Sequence, residues 1–399
     1  MKRILLIYFL PLICALTLTF LLAFKSTINS SLFTAESPSP IDPSFRNIPN
    51  FNDNVLYENE FLSSRADHET IFMLGSSELG VNTEATPYNF ITDHFNTKVV
   101  GVGHAGNQSF SIFSQLLANE PRLKNAPILI GISPGWFHEV SANGTTSSQF
   151  LEFNSSRFLN SILMNDSIDT FKAYEANRIS SFYGEIVSPD LSIKLLHFKS
   201  RSSKSFLHQF LYAPIIAIDD LLYSLRSDLL KTNSITTTNS FERKSIREES
   251  VVINWDSLFT VSKQDQLNRS TNNNWSIDNT YYTNNINGKR SFVSPVQIKY
   301  NTEMEDFLEL LKLLKEKKVN ASFFISPLNP YYFKNASDLS PIVAIVETEL
   351  KKNNFPYLNL WNSDSTTFEK GILFDIGHLS KYGFYKVDKF IVETYKLTK

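Results

Sequence analysis

Short apolar runs alternate with amphipathic stretches over much of this chain, and that alternation is typical of a parallel sheet with helices between its strands. Strand character is concentrated in five runs, residues 70–74, 98–102, 127–132, 319–325 and 357–360. Helical spacing of apolar positions occurs in residues 109–119, 303–318, 341–353 and 381–395, and a further helix is expected to begin at Ser77. The predicted fold class is α/β, with a parallel sheet flanked by helices.

The middle of the chain, about residues 150–300, interrupts this rhythm. Apolar residues return at helical spacing in residues 191–230, whereas residues 232–240 are rich in Ser, Thr and Asn, and residues 268–287 are rich in Asn. Polar tracts of this kind favour loops. We therefore predict a mostly helical insertion with long loops within the α/β domain.

The first residues have the pattern of a membrane anchor. Met1, Lys2 and Arg3 precede residues 4–24, which carry no charge, and Lys25 ends the run. A helix of that length rises roughly 31 Å, about the thickness of the hydrocarbon core of a bilayer. The positive charges favour a cytoplasmic N-terminus and a single-pass topology. A cleaved signal peptide is the alternative, although the run is long and its small-residue cleavage pattern is poor.

Three parts follow from these patterns. Residues 1–25 are predicted to be a transmembrane anchor, and residues 26–60, rich in Ser, Pro, Asn and Asp, a linker and lead-in. Residues 61–399 would then form the main α/β domain outside the cytoplasm, on the cell membrane.

Composition narrows the possible functions. The 399 residues are 42% hydrophobic and 20% charged, and the net charge of -2 creates no field that favours nucleic acid. Cys14 is the only cysteine and lies in the apolar N-terminal run, so the main domain has no thiolate nucleophile and no Cys-based metal site. No His and carboxylate cluster has metal-ligand spacing. We expect neither a metal nor a cofactor.

Two distant motifs contain the residue types of a serine nucleophile and its base. One is the run Gly75-Ser76-Ser77-Glu78-Leu79, which follows a predicted strand, and the other is the Asp375-Ile376-Gly377-His378 run near the end. A serine hydroxyl needs an adjacent base, and a carboxylate can fix the tautomer of a histidine. Ser77, His378 and Asp375 are the predicted catalytic residues. Ser76 is the rival nucleophile.

Each of these residues also has a structural interpretation. Ser77 could be only a helix N-cap, Asp375 only a turn residue, and His378 a surface histidine. An acyl-transfer site would also need donors for the oxyanion. Gly106, in a glycine turn, and Ser133, after the third predicted strand, are the candidates.

The motifs resemble those of the SGNH (GDSL) hydrolases. Gly75-Ser76-Ser77 resembles the nucleophile block, Gly106 the oxyanion glycine, Gly131-Ile132-Ser133-Pro134 the third block by position, and Asp375 with His378 the last block. Ser133 stands where these hydrolases have an asparagine, and Ser76 replaces their usual acidic residue. Both departures favour a narrow transferase or editing role over general hydrolysis.

A closer resemblance is to the D-alanyl transfer protein DltD family. It rests on the Gly-Ser-Ser-Glu-Leu run and on residues 104–109, 132–137, 255–256, 272–274, 281–282, 326–330 and 375–380. The resemblance implies an extracytoplasmic membrane protein that acts in the D-alanylation of lipoteichoic acid. It also implies three partners: a D-alanyl donor or carrier protein or peptide, a membrane-bound O-acyltransferase, and the lipoteichoic acid acceptor.

Three hypotheses for function follow. The leading one is a membrane-anchored acyl-transfer protein of the DltD type that uses a Ser-His-Asp site. The second is an SGNH esterase or O-acetyltransferase that acts on another envelope polysaccharide. The third is a non-catalytic, membrane-tethered module that binds the carrier.

Overall fold

The computed structural model describes residues 70–79, 81, 83–95, 97–103, 105–118, 127–139, 141–154, 170–182, 253–295 and 297–398. The predicted anchor and linker, the predicted helical residues 191–230 and the predicted loop 232–240 lie outside these ranges. Within them, no helix is long and apolar enough to cross a membrane.

A five-stranded parallel sheet forms the centre of the described domain. Its strands are β1 (Thr70–Gly75), β2 (Lys98–Gly103), β3 (Ile128–Ile132), β4 (Ala321–Ile325) and β5 (Tyr357–Asn359). They are arranged in the order β2-β1-β3-β4-β5, and every pair is parallel. Each strand coincides with one of the five predicted runs to within two residues, which confirms the predicted fold class.

The described residues also form α-helices. They are α1 (Pro87–His94), α2 (Ser109–Ala118), α3 (Ser147–Phe153), α4 (Thr170–Phe182), α5 (Trp255–Asn268), α6 (Thr302–Glu316), α7 (Ser340–Lys352) and α8 (Lys381–Tyr395). Shorter segments include the 3-10 turns Ser77–Leu79, Pro134–Phe137, Ile298–Tyr300 and Ala336–Leu339, and a helical turn, Asn279–Tyr281, that continues as the π-helical segment Tyr282–Ile286.

The described residues divide between two compact units. Asn154 and helix α4 belong to one unit, and the sheet with the other described helices belongs to the second. The second unit also contains residues 253–295, which include the Asn-rich part of the predicted insertion.

The local sequence explains where the later helices begin. The side chain of Asn301 caps α6 by accepting a hydrogen bond from the Met304 N–H at 3.0 Å. Ser380 caps α8 in the same way, accepting from the Gly383 N–H at 3.3 Å. Helix α8 therefore begins three residues after His378, and this cap fixes the point where the Asp-x-x-His loop ends.

The chain after β1 differs from the prediction. Ser77 begins a 3-10 turn of three residues, and the first α-helix begins at Pro87. Leu79 is buried against Gly103 at the end of β2, where a Cβ atom on Gly103 would collide with the Leu79 side chain. Proline is well tolerated in the first turn of a helix, so α1 starts at Pro87.

The core cluster on one face of the sheet is built from alternate strand residues. Ile71, Met73, Leu129 and Phe324 pack in a single apolar cluster with residues of α1 and α8. Because side chains alternate across a strand, the intervening buried residues of β1 and β3 point to the opposite face. A sheet covered on both faces leaves the carboxyl ends of its strands as the place for polar side chains.

Candidate active site

The topology itself marks one place on the sheet. The chain moves outward from β1 to β2 on one side and from β3 to β4 and β5 on the other. The point between β1 and β3 is therefore a topological switch point, where α/β proteins bind ligands beyond the carboxyl ends of the strands. Ser77 follows β1 and Ser133 follows β3, so the sequence-predicted residues of these two loops lie at this point.

Asp375 makes three hydrogen bonds in this loop, two of them with His378. Its Oδ2 atom lies 2.6 Å from Nδ1 of His378, and its Oδ1 atom accepts the backbone N–H groups of Gly377 at 2.9 Å and His378 at 2.8 Å. Asp375 is only 3% exposed. This arrangement places the proton of the neutral imidazole on Nδ1 and leaves Nε2 as the basic nitrogen.

Backbone hydrogen bonds hold the loop that carries this pair. The Phe374 N–H donates to the His378 carbonyl at 2.8 Å, which closes the loop on itself. The Asp278 N–H donates to the Phe374 carbonyl, and the Asn329 N–H donates to the Ile376 carbonyl, each at 2.9 Å. The Asn-rich segment and the loop after β4 thus both support the predicted base.

His378 also lies against the nucleophile turn. Burial alone lowers the pKa of His378, but its hydrogen bond to Asp375 and the negative charge of Asp375 raise it. The charge of Glu78 and a contact with the backbone carbonyl of Ser77 raise it further, and the net pKa lies above the ordinary value. The structure therefore brings Asp375, His378 and the backbone of Ser77 together.

The two serines of the turn have different environments. Ser76 is 5% exposed, and its Oγ atom accepts the Gly106 N–H at 3.2 Å. Ser77 is half-buried, so it is the more exposed residue of the two. This difference favours Ser77 over Ser76 as the nucleophile.

Gly106 adopts a backbone conformation that suits glycine. Its φ is +96°, and a Cβ atom there would collide with the side chain of Gln149. Asn107, the next residue, is fully buried and donates to the Gly75 carbonyl at 3.0 Å, which ties the end of β1 to the glycine turn. Asn107 was not among the predicted site residues; an amide directly after a tight glycine turn is the signal that could have indicated it.

Ser133 has its hydroxyl engaged on both sides. Its Oγ atom accepts the Gly135 N–H at 3.2 Å, and its O–H is directed to the carboxylate of Glu78. A hydroxyl has one proton to donate. In the resting site, the Ser133 hydroxyl is therefore directed to Glu78. Its donation to an oxyanion stays a prediction.

Glu78 follows Ser77 directly and was not among the predicted site residues. Burial raises its pKa, whereas its own backbone N–H, the charge of His378, Ser133 and Trp136 lower it; the net pKa is raised. Trp136 lies beside the carboxylate, yet neither its Nε1 nor Glu78 Oε2 makes a hydrogen bond of normal geometry. Nothing in the sequence alone indicates that this charge is buried.

Other candidate groups fall elsewhere. No cluster of three metal-ligating side chains occurs among the described residues. His104 lies outside those residues, and His138 forms an isolated bridge with Pro295. A cavity of about 810 Å³ lies beside β5 and α8, where the carboxylate of Glu369 is already paired with Lys386 at 2.6 Å.

Fold and site together define a class of protein. It is a parallel α/β protein that brings a Ser-Ser-Glu turn and an Asp-x-x-His loop together at the carboxyl edge of its sheet. Residues 47–396 match the family described as DltD protein, and the chain belongs to the DltD family. No curated protein matches the chain. Membership implies involvement in the D-alanylation of teichoic acids, in a family that is associated with the membrane and faces the outside of the cell.

Proposed function

We propose that this protein is a membrane-anchored, extracytoplasmic acyl-transfer enzyme that uses Ser77, His378 and Asp375 to move a D-alanyl group to lipoteichoic acid. The observation that carries the proposal is the contact of His378 with the Ser77 backbone while Asp375 holds Nδ1 of the same ring. Neutral His378, with its proton on Nδ1, would have Nε2 free to accept a proton from the Ser77 hydroxyl.

The first half-reaction loads the enzyme. Ser77 Oγ attacks the D-alanyl carbonyl of the donor, and its proton passes to Nε2 of His378. When the tetrahedral intermediate collapses, the bond to the carrier breaks and the leaving group takes that proton from His378. The D-alanyl group then remains as an ester on Ser77.

The second half-reaction unloads it. A hydroxyl of the teichoic acid polymer gives its proton to His378 and attacks the ester carbonyl. The new ester bond forms, the bond to Ser77 Oγ breaks, and His378 returns the proton to Ser77. The backbone N–H of Ser77 would stabilise both oxyanions, joined by the Gly106 N–H when it leaves Ser76 Oγ and by the Ser133 hydroxyl when it turns from Glu78.

The proposed acyl donor, membrane partner and membrane anchor are inferred from membership of the DltD family. The acyl donor would be a carrier protein or peptide, delivered with the help of a membrane-bound O-acyltransferase. A single N-terminal span with a cytoplasmic N-terminus would hold the domain near these partners. No metal or cofactor enters either half-reaction.

The proposal can be tested by measuring the D-alanyl ester content of teichoic acid in cells that carry the full-length chain. Ser77→Ala should abolish restoration of the esters, whereas Ser76→Ala should leave a measurable fraction. Full activity of Ser77→Ala would contradict the proposal. Acetate instead of D-alanine in the isolated polymer would select the esterase or O-acetyltransferase hypothesis, and carrier binding without transfer in every variant would select the binding module.

A further inference from the structure

Glu78 places a carboxylate directly after the proposed nucleophile in a largely buried position. The residue is 9% exposed, and its Oε2 atom is buried without a hydrogen-bond partner. Buried carboxylates are normally paired or hydrogen-bonded, because removing a charge from water is costly. An unpartnered carboxylate oxygen beside a nucleophile indicates a place for a ligand that brings a proton donor or a positive charge.

The protein supplies only part of what this carboxylate needs. The backbone N–H of Glu78, the hydroxyl of Ser133 and the indole of Trp136 surround it, and His378 contributes charge only when it is protonated. No ion pair formed by a lysine or arginine within the described ranges includes Glu78. When His378 is neutral and ready to act as a base, the site therefore holds a carboxylate without a fixed cation.

His378 also relates this carboxylate to the nucleophile. The ring contacts the backbone carbonyl of Ser77 and experiences the charge of Glu78. Nucleophile and carboxylate therefore both lie around the same imidazole. An acyl group bound for attack by Ser77 has its α-carbon in this region.

A D-alanyl group would bring the missing cation, because its α-ammonium is attached to the carbon next to the reacting carbonyl. We propose that Glu78 binds the α-ammonium of the acyl group and selects aminoacyl donors over neutral acyl donors, an inference that rests on the proposed function of Ser77. A charge-assisted hydrogen bond from the ammonium would satisfy Oε2. A neutral acyl group would leave that oxygen unpaired, which is the basis of strong discrimination.

A purely structural role for Glu78 predicts a different pattern. If the carboxylate served only to hold Ser133 and the turn, its replacement would slow all acyl donors to a similar degree. The informative quantity is therefore the ratio of acylation rates for two donors that differ only at the ammonium.

The experiment uses the full-length chain in detergent with D-alanyl and propionyl thioesters of N-acetylcysteamine. Acylation of Ser77 is followed by mass spectrometry of acid-quenched peptides. The wild type should prefer the D-alanyl donor, and Glu78→Gln should lower that preference by about tenfold to a hundredfold. Glu84→Gln is the matched control, since Glu84 is two-thirds exposed and pairs with Lys381; its preference should equal that of the wild type.

The outcomes distinguish a failure of the ammonium site from a failure of the proposed function of Ser77. Equal acylation by both donors in the wild type overturns the ammonium site, even if Glu78→Gln fails to fold, and leaves the role of Ser77 intact. An equal slowing of both donors in folded Glu78→Gln also overturns it and assigns Glu78 a structural role. Absence of acylation by either donor in the wild type overturns the proposed function and the ammonium site together.

Discussion

The carboxylate of Asp375 binds His378 twice, at the ring through Nδ1 and at the backbone through the N–H of the same residue. One side chain thus fixes both the position of the histidine and the orientation of its imidazole. Asp375 does so from a buried position at the carboxyl edge of the sheet, where the turn with Ser77 also lies.

Asp375→Asn should retain the fold but lose transfer. The amide oxygen can still accept the two backbone hydrogen bonds. The amide N–H group then faces Nδ1 of His378, which favours the wrong tautomer, with the proton on Nε2. We expect D-alanyl transfer to fall about 10⁴-fold, with a melting temperature close to that of the wild type. Steady-state transfer and thermal unfolding measured on the same preparation check this. Activity within tenfold of the wild type would show that Asp375 does not orient the base.

The pH dependence of kcat/KM should report the raised pKa of His378. The base must be neutral, so activity should fall as the pH drops through a midpoint above about 6.5, the ordinary value for histidine. Glu78→Gln removes a negative charge that raises this pKa, so its midpoint should move to lower pH. An identical midpoint in both proteins would show that Glu78 exerts no charge effect on the base.

Gly106→Ala should reduce both stability and transfer. Alanine is strained at a φ of +96°, and its Cβ would displace Gln149. We expect a loss of about 1–3 kcal/mol in the free energy of unfolding, measured by urea titration, and a loss of transfer because the proposed oxyanion donor shifts.

Gly288→Ala is the control for that prediction. Gly288 also has a positive φ, +78°, but the nearest atom to an added Cβ is the Tyr282 hydroxyl at 4.0 Å. Gly288→Ala should lose stability through backbone strain of the same kind, but it should keep its D-alanyl transfer activity. Equal transfer by both variants would remove Gly106 from the site.

Much of this fold could be predicted because its strands are buried on both faces. The apolar runs of β1 and β3 read as strands directly, and Gly75 marks the end of the first. Helix α1 was not predicted, since it spans only eight residues and its buried positions, Tyr88, Phe90 and Ile91, are interspersed with polar ones.

The candidate site was predicted only as far as local motifs reach. The pairing of Asp375 with His378 could be predicted from their spacing, because both lie in one turn. The environment of Glu78 depends on Ser133 and Trp136 from a different strand end, so its burial is a tertiary property. The support that the loop receives from Asp278 is likewise a contact between distant parts of the chain.

Asp388 should make stability depend on pH. It is fully buried in α8, neither carboxylate oxygen has a hydrogen-bond partner, and burial raises its pKa well above the ordinary value. The folded protein therefore holds this proton more tightly than the unfolded chain. The stability contributed by protonated Asp388 is complete below about pH 4 and declines as the pH rises toward the folded pKa.

Asp388→Asn removes that titration. As the pH rises from about 4 toward the folded pKa of Asp388, the free energy of unfolding of the variant should increase relative to that of the wild type. The difference should grow by up to about 1.4 kcal/mol per pH unit. Urea titrations of both proteins across this range measure the difference. Parallel curves would show that Asp388 does not change its protonation on folding.

The most direct measurement of the central claim is covalent labelling of the full-length chain with a serine-directed fluorophosphonate, followed by peptide mapping. We expect one adduct, on Ser77, that is lost in Ser77→Ala and in His378→Ala and retained in Ser76→Ala. An adduct on Ser76, or labelling of Ser77 that persists without His378, would contradict the proposed Ser77–His378–Asp375 site.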